Sequence, residues 1–133
     1  MITKKIIKIA SDTTNIGLTN KFSYKSSLKN AICGDKIKLE IIVKNLKINS
    51  VKYETESCVY CEASASLLSK KIKSSNIKSV IKNLNKIKET INSKKFTLPA
   101  NFKDFKVLIN KKNINRFKCI NLPLDAVLKA LKQ

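Results

Sequence analysis

The sequence predicts an α+β fold, a small antiparallel β-sheet of about three strands packed against several helices. Three observations predict it. Ile37, Leu39, Ile41 and Val43 alternate with Lys36, Lys38 and Glu40, the pattern of a strand with one wet face. After a turn at Asn45, Val51, Tyr53 and Thr55 alternate with Lys52, Glu54 and Glu56, which makes an antiparallel partner. Further on, Ile77, Val80, Ile81, Leu84, Ile87 and Ile91 recur at the spacing of one helix face. A chain of 133 residues with 43% hydrophobic content suits a single domain over residues 1–133.

The remaining elements follow in order. Ile2, Ile6 and Ile9 sit at near-helical spacing and predict a short N-terminal helix. Residues 11–23, rich in Ser, Thr and Asn, read as loop, and a first strand runs near Tyr24–Asn30. A helix begins near Cys58 and carries Ala63, Ser64, Ala65 and Ser66 into Leu67, Leu68 and Ile72. Ser75 is the expected N-cap of the next helix. Lys94–Asn101 is a loop around Pro99, and Phe102, Phe105, Val107, Leu108 and Ile109 suggest a short helix. Asn110–Asn115 reads as polar loop. The last helix turns Ala126, Val127, Ala130 and Leu131 inward, with Pro123 in its first turn and Cys119 just before it.

Composition limits the function. No run of about 18 apolar residues exists, so no membrane span is expected. The mixed basic and apolar N-terminus lacks the continuous apolar stretch of a signal peptide, which predicts a cytoplasmic protein with reduced thiols. The net charge of +19 invites a nucleic-acid reading, but Arg116 is the only arginine and the lysines spread along the chain. They read mostly as solvated faces.

The four cysteines carry the chemistry. There is no histidine, so thiolate and carboxylate are the strong metal ligands available. Cys33-Gly34-Asp35 precedes the best strand, and Cys58 follows the end of its neighbour. Antiparallel pairing brings the start of one strand to the end of the next, so these residues can meet at one edge. Gly34 permits the sharp turn that lets Cys33 and Asp35 face one centre. Cys33, Asp35, Cys58 and Cys119 match the charge and softness that tetrahedral zinc requires, with Asp35 the harder, more labile ligand. Lys36 and Lys118 are placed to screen the negative charge. The competing reading is coincidence: buried cysteines and a strand-capping aspartate. Cys61 reads either as a small hydrophobe on the inner helix face or as a spare thiol beside the site. At the level of the whole chain, two alternatives stand: a basic zinc-stabilised nucleic-acid-binding module, or a small basic domain with four buried cysteines.

Three segments together resemble the NifU/IscU/SufU iron–sulfur cluster scaffold family. Cys33-Gly34-Asp35 before a strand is similar to its first motif, Cys58 through Ser66 to its second, and Arg116 through Leu131, with Cys119 leading into a helix, to its third. Asn15-Ile16-Gly17 resembles its N-terminal loop. Lys118 stands where the IscU type has histidine, Asn113–Phe117 lacks the chaperone-docking segment of that type, and the long separation of Cys58 and Cys119 resembles the SufU branch. Ser57 replaces the usual glycine, and Cys61 lies outside the family pattern. The resemblance implies a SufE/IscU-like fold. It implies Zn²⁺ or an iron–sulfur cluster ([2Fe-2S] or [4Fe-4S]) at Cys33, Asp35, Cys58 and Cys119. It also implies a SufS-like cysteine desulfurase as sulfur donor, with Cys33 as the acceptor, and other SUF assembly proteins or apo iron–sulfur proteins as recipients. Scaffolding and zinc-dependent sulfur transfer both remain open within this class.

Overall fold

The computed structural model describes residues 2–132. A short helix α1 (Lys4–Ala10) leads through a loop to three strands, β1 (Tyr24–Lys29), β2 (Lys36–Lys44) and β3 (Lys47–Glu56). Helices α2 (Val59–Ile72) and α3 (Ile77–Ser93) follow, then two 3-10 helices (Ala100–Val107 and Lys111–Arg116) and α4 (Phe117–Leu131). The sheet is antiparallel with β2 in the centre, as expected from the alternation. No helix among the described residues is long and apolar enough to cross a membrane.

One face of the sheet buries Ile37, Leu39, Ile41, Val51 and Tyr53 against the helices. Helix α2 lies at the centre of that layer and contacts α1, α4 and β3. It is buried on nearly every side, including Ala63, Ser64, Ala65, Ser66 and Ser69. Small side chains allow this close approach, and the buried hydroxyls find carbonyls: Ser64 donates to that of Ile120 in α4 at 2.6 Å and Ser69 to that of Ala65 in its own helix at 2.7 Å. Helix α4 crosses β1 and β2, fixed where Ser26 Oγ donates to the Ala126 carbonyl at 2.7 Å.

The outer edge of β3 is covered twice. Gly17 N–H donates to the Tyr53 carbonyl at 2.9 Å, and Tyr53 N–H to that of Asn15 at 3.1 Å. Nearer its start, the α2–α3 connection takes over, with Ile48 N–H bonded to the Ser75 carbonyl at 2.9 Å. These contacts shorten the stretch of the β3 edge left open to another chain. On the opposite sheet face, buried Glu40 accepts the N–H groups of Thr19 (2.7 Å) and Asn20 (3.0 Å), which pins the loop after Gly17.

Several expectations need correction. Strand β3 starts at Lys47, earlier than Val51, because Asn45 and Leu46 alone make the turn, both at positive φ. Asn76, not Ser75, caps α3: its side chain accepts from Lys78 N–H at 2.8 Å, while Ser75 is held against β3. Residues 111–116 form a 3-10 helix, not a polar loop. Asn110 caps it, and the buried Asn113 amide donates to the Val107 and Leu108 carbonyls. Helix α4 begins at Phe117, so Pro123 lies inside it and Cys119 in its first turn. Pro123 has no N–H to give the Cys119 carbonyl, but burial of Phe117, Ile120, Leu124 and Val127 along one stripe outweighs that loss.

Candidate metal centre

The β1–β2 connection is the core of the site. Asn30 N–H donates to the Asp35 carbonyl at 2.7 Å, and Gly34 N–H returns to the Asn30 carbonyl at 2.7 Å. The Asn30 side chain accepts from Ile32 N–H at 3.0 Å, an Asx turn that fixes the loop. Gly34 has φ +76°, the left-handed conformation that its lack of a Cβ allows. The loop thus carries exposed Ile32 and Cys33 outward and turns Asp35 inward, where only 5% of it is exposed.

The register delivers Cys58 to the same place. Lys36 pairs with Glu56, so Asp35 and Ser57-Cys58 leave the sheet side by side. Cys58 is the N-cap residue of α2, and its own N–H donates to Asp35 Oδ1 at 3.1 Å. Its thiol donates to Asp35 Oδ2 at 3.5 Å. Cys119 arrives from the first turn of α4, with its Sγ 3.6 Å from that of Cys33. The ligand atoms of Cys33, Asp35 and Cys119 lie within 4.8 Å of one another, and Cys58 joins them through Asp35. All four cysteines are free thiols.

The donor set fits a tetrahedral ion. Two thiolates on one zinc, each at about 2.3 Å, stand about 3.8 Å apart, and a thiolate and a carboxylate oxygen about 3.5 Å apart. The Cys33–Cys119 and Cys58–Asp35 separations are 3.6 Å and 3.5 Å. Two edges of such a tetrahedron are therefore already set. The same atoms suit the soft iron of an iron–sulfur cluster.

The electrostatics follow from burial and from this hydrogen bonding. Burial alone raises the Asp35 pKa. Hydrogen bonds from the Cys119 and Cys33 thiols, and from the Cys58 N–H and thiol, outweigh it and hold the carboxyl below its ordinary value. The Cys119 thiol is pushed up, first by burial and then by its contact with Asp35. Cys61 is fully buried in the core, and burial pushes its thiol up to about 12. It packs as a small hydrophobe and lies outside the three-ligand group. The exposure of Cys33 rules out a domain with four buried cysteines. Of the two screening lysines, Lys36 reaches Glu56 at 3.9 Å and Lys118 is exposed beside Cys119.

Sequence reasoning missed two contributors. Asn30 holds the Cys33 loop, and its signal was an asparagine ending a strand just before a glycine turn. Arg116, which caps α4, lays its guanidinium 5.5 Å from the ring centre of Tyr60, tying the Cys119 and Cys58 segments together.

Residues 1–132 match the family described as NifU-like N terminal domain. The fold is similar to that of a nitrogen-fixing NifU-like protein (N-terminal) from Brucella abortus. The two share 16% identity at a TM-score of 0.82, over 98% of this chain and 91% of that one. It is similar as well to a putative iron–sulfur cluster assembly scaffold protein for the SUF system from the thermophile Fervidobacterium islandicum, with 23% identity, TM-score 0.80, and coverage of 98% and 96%. A hypothetical protein of known structure matches at 20% identity, TM-score 0.81, with 97% and 98% covered. No curated protein sequence gives a significant match.

Proposed function

Because the chain belongs to the NifU-like N-terminal domain family, we propose that it is a SufU-like iron–sulfur cluster assembly protein that accepts persulfide sulfur from a cysteine desulfurase. The observation that carries this reading is the split within one thiol cluster: Cys33 is exposed at a loop apex, while Asp35 and Cys119 are buried behind it. A sulfur acceptor must be reached by a partner, and a ligand set must be shielded. The SUF assignment of the Fervidobacterium islandicum relative supports the branch.

In this mechanism the Cys33 thiolate attacks the outer sulfur of the donor's persulfide. A new S–S bond forms on Cys33, and the donor's thiolate leaves with its electron pair. The Asn30 turn and Gly34 present Cys33 to the donor. Asp35 keeps Cys58 and the helix end aligned through two hydrogen bonds. Zinc bound by Cys33, Asp35, Cys58 and Cys119 would keep the thiols deprotonated. An iron–sulfur cluster assembled on these ligands is the cargo, passed to other SUF proteins or apo iron–sulfur proteins in the cytoplasm.

The test is incubation with a SufS-like desulfurase and cysteine, followed by peptide mass mapping. One added sulfur on Cys33, absent in Cys33→Ser, is expected; labelling elsewhere, or none, overturns the assignment. Anaerobic reconstitution with iron and sulfide separates the two modes. A visible-absorbing cluster indicates a scaffold, and retained zinc without a cluster indicates a sulfur relay.

A further inference from the structure

We propose that Cys119 is a resolving thiol for Cys33, releasing sulfide from a Cys33 persulfide and closing a Cys33–Cys119 disulfide in the metal-free protein. This deepens the function proposed above and rests on Cys33 as the sulfur acceptor.

Position selects Cys119 among the thiols. Its Sγ stands 3.6 Å from that of Cys33. Cys58 Sγ falls outside the group of ligand atoms within 4.8 Å of one another that Cys33, Asp35 and Cys119 form, and Cys61 lies in the core. The two partners also differ in exposure: Cys33 is exposed, and only 4% of Cys119 is. A sulfur delivered from solvent reaches Cys33 from its exposed side, while Cys119 approaches it from the buried side. That places the resolving thiol within reach of the inner sulfur, the one whose attack expels the outer sulfur. Attack on the outer sulfur would only pass the sulfur along; attack on the inner one frees sulfide.

The step balances. The Cys119 thiol and the Cys33 persulfide anion give the Cys33–Cys119 disulfide and hydrosulfide. The bond to the outer sulfur breaks, and that sulfur leaves with the electron pair and the Cys119 proton. The Cys119 sulfur is oxidised as the outer sulfur is reduced to sulfide, and the Cys33 sulfur keeps the oxidation level it reached in the persulfide. A low-molecular-weight thiol reopens the disulfide, two equivalents per cycle. Closing from 3.6 Å to a bond of about 2.05 Å needs loop movement. Gly34 gives room for it, since even an added Cβ there would meet nothing within 4 Å.

The experiment uses the metal-free protein and a chromogenic aromatic disulfide, 5,5′-dithiobis(2-nitrobenzoate), at one equivalent. Reaction at Cys33 expels one nitrothiobenzoate and leaves the other attached. If Cys119 resolves it, the second is expelled and peptide mapping finds the Cys33–Cys119 disulfide. Cys119→Ser and Cys119→Ala should stop at the first release with the label on Cys33, whereas Cys58→Ser should complete both. A stable mixed disulfide on Cys33 in the wild-type protein, or a disulfide from Cys33 to Cys58, overturns the proposal. The wild-type map decides even if the Cys119 variants fail to fold. Loading with glutathione persulfide then tests the sulfur step: free sulfide from wild type, retained sulfur in Cys119→Ala. Neither arm uses a desulfurase, so failure of transfer from that enzyme would count against the proposed function while leaving this result readable.

Discussion

Asp35 holds Cys58 with both carboxylate oxygens, Oδ1 taking the backbone N–H at 3.1 Å and Oδ2 the thiol at 3.5 Å. One side chain therefore joins the β1–β2 loop to the first turn of α2. A candidate metal ligand that also accepts the N–H of a helix N-cap residue has a structural value that does not depend on any metal.

Asp35→Ala is expected to destabilise even the metal-free protein, by about 1–3 kcal/mol, because the Cys58 N–H loses its acceptor in a half-buried site. Asp35→Asn keeps an oxygen there and should lose less. Urea unfolding in the presence of chelator measures both. Equal stability of Asp35→Ala and wild type would show that the hydrogen bond contributes nothing.

Metal retention should follow the cluster geometry. Cys33→Ser, Cys58→Ser and Cys119→Ser each remove a soft donor from the set around Asp35 and should lose bound zinc or iron on gel filtration. Cys61→Ser leaves that set intact and should keep most of its metal. Elemental analysis of the four variants decides it; equal retention in all of them would remove the site.

Much of this was readable from residue order. The β2 and β3 alternations, the α3 stripe and the meeting of Cys33, Asp35 and Cys58 all follow from local periodicity and antiparallel register. Helix α2 was harder to read, because burial on nearly all sides leaves no amphipathic stripe, only a run of Ala and Ser. Pro123 misled the placement of α4. Proline usually opens helices, and here packing of Phe117 and Ile120 extends the helix past the lost hydrogen bond. Ligand chemistry and the family resemblance put Cys119 with Cys33, but no local pattern did, because the contact depends on how α4 seats on β1, fixed by pairs such as Ser26 and Ala126 that lie far apart in sequence.

The buried Cys61 thiol makes alkaline stability a test of the core. Its folded pKa is raised from an ordinary 9.0 to about 12. A raised acid pKa means that the fold favours the protonated form, so this contribution is complete below pH 9 and falls as pH rises towards 12. Near pH 10.5 the loss should be about 2 kcal/mol. Comparing urea midpoints at pH 8 and 10.5 for wild type and Cys61→Ala isolates it. The variant should lose about 1–2 kcal/mol at pH 8 from the cavity, yet decline less on going to high pH. Parallel declines would place Cys61 in contact with solvent.

The β2–β3 hairpin gives a prediction that leaves the site untouched. Asn45 and Leu46 form a two-residue turn with φ values of 54° and 65°. Asparagine tolerates that conformation; leucine does not, and Leu46 is 69% exposed, so little packing compensates the strain. Its carbonyl does useful work by accepting Ile77 N–H at 2.9 Å, and any residue keeps that bond. Leu46→Gly should therefore raise stability by about 0.5–1 kcal/mol, the relief of a left-handed residue set against the greater flexibility of glycine in the unfolded chain. Leu46→Val, β-branched at positive φ, should lower it. Thermal unfolding of the metal-free proteins reads both changes, and metal retention should match wild type in each, because the turn sits at the opposite end of the β2–β3 pair from Asp35 and Cys58.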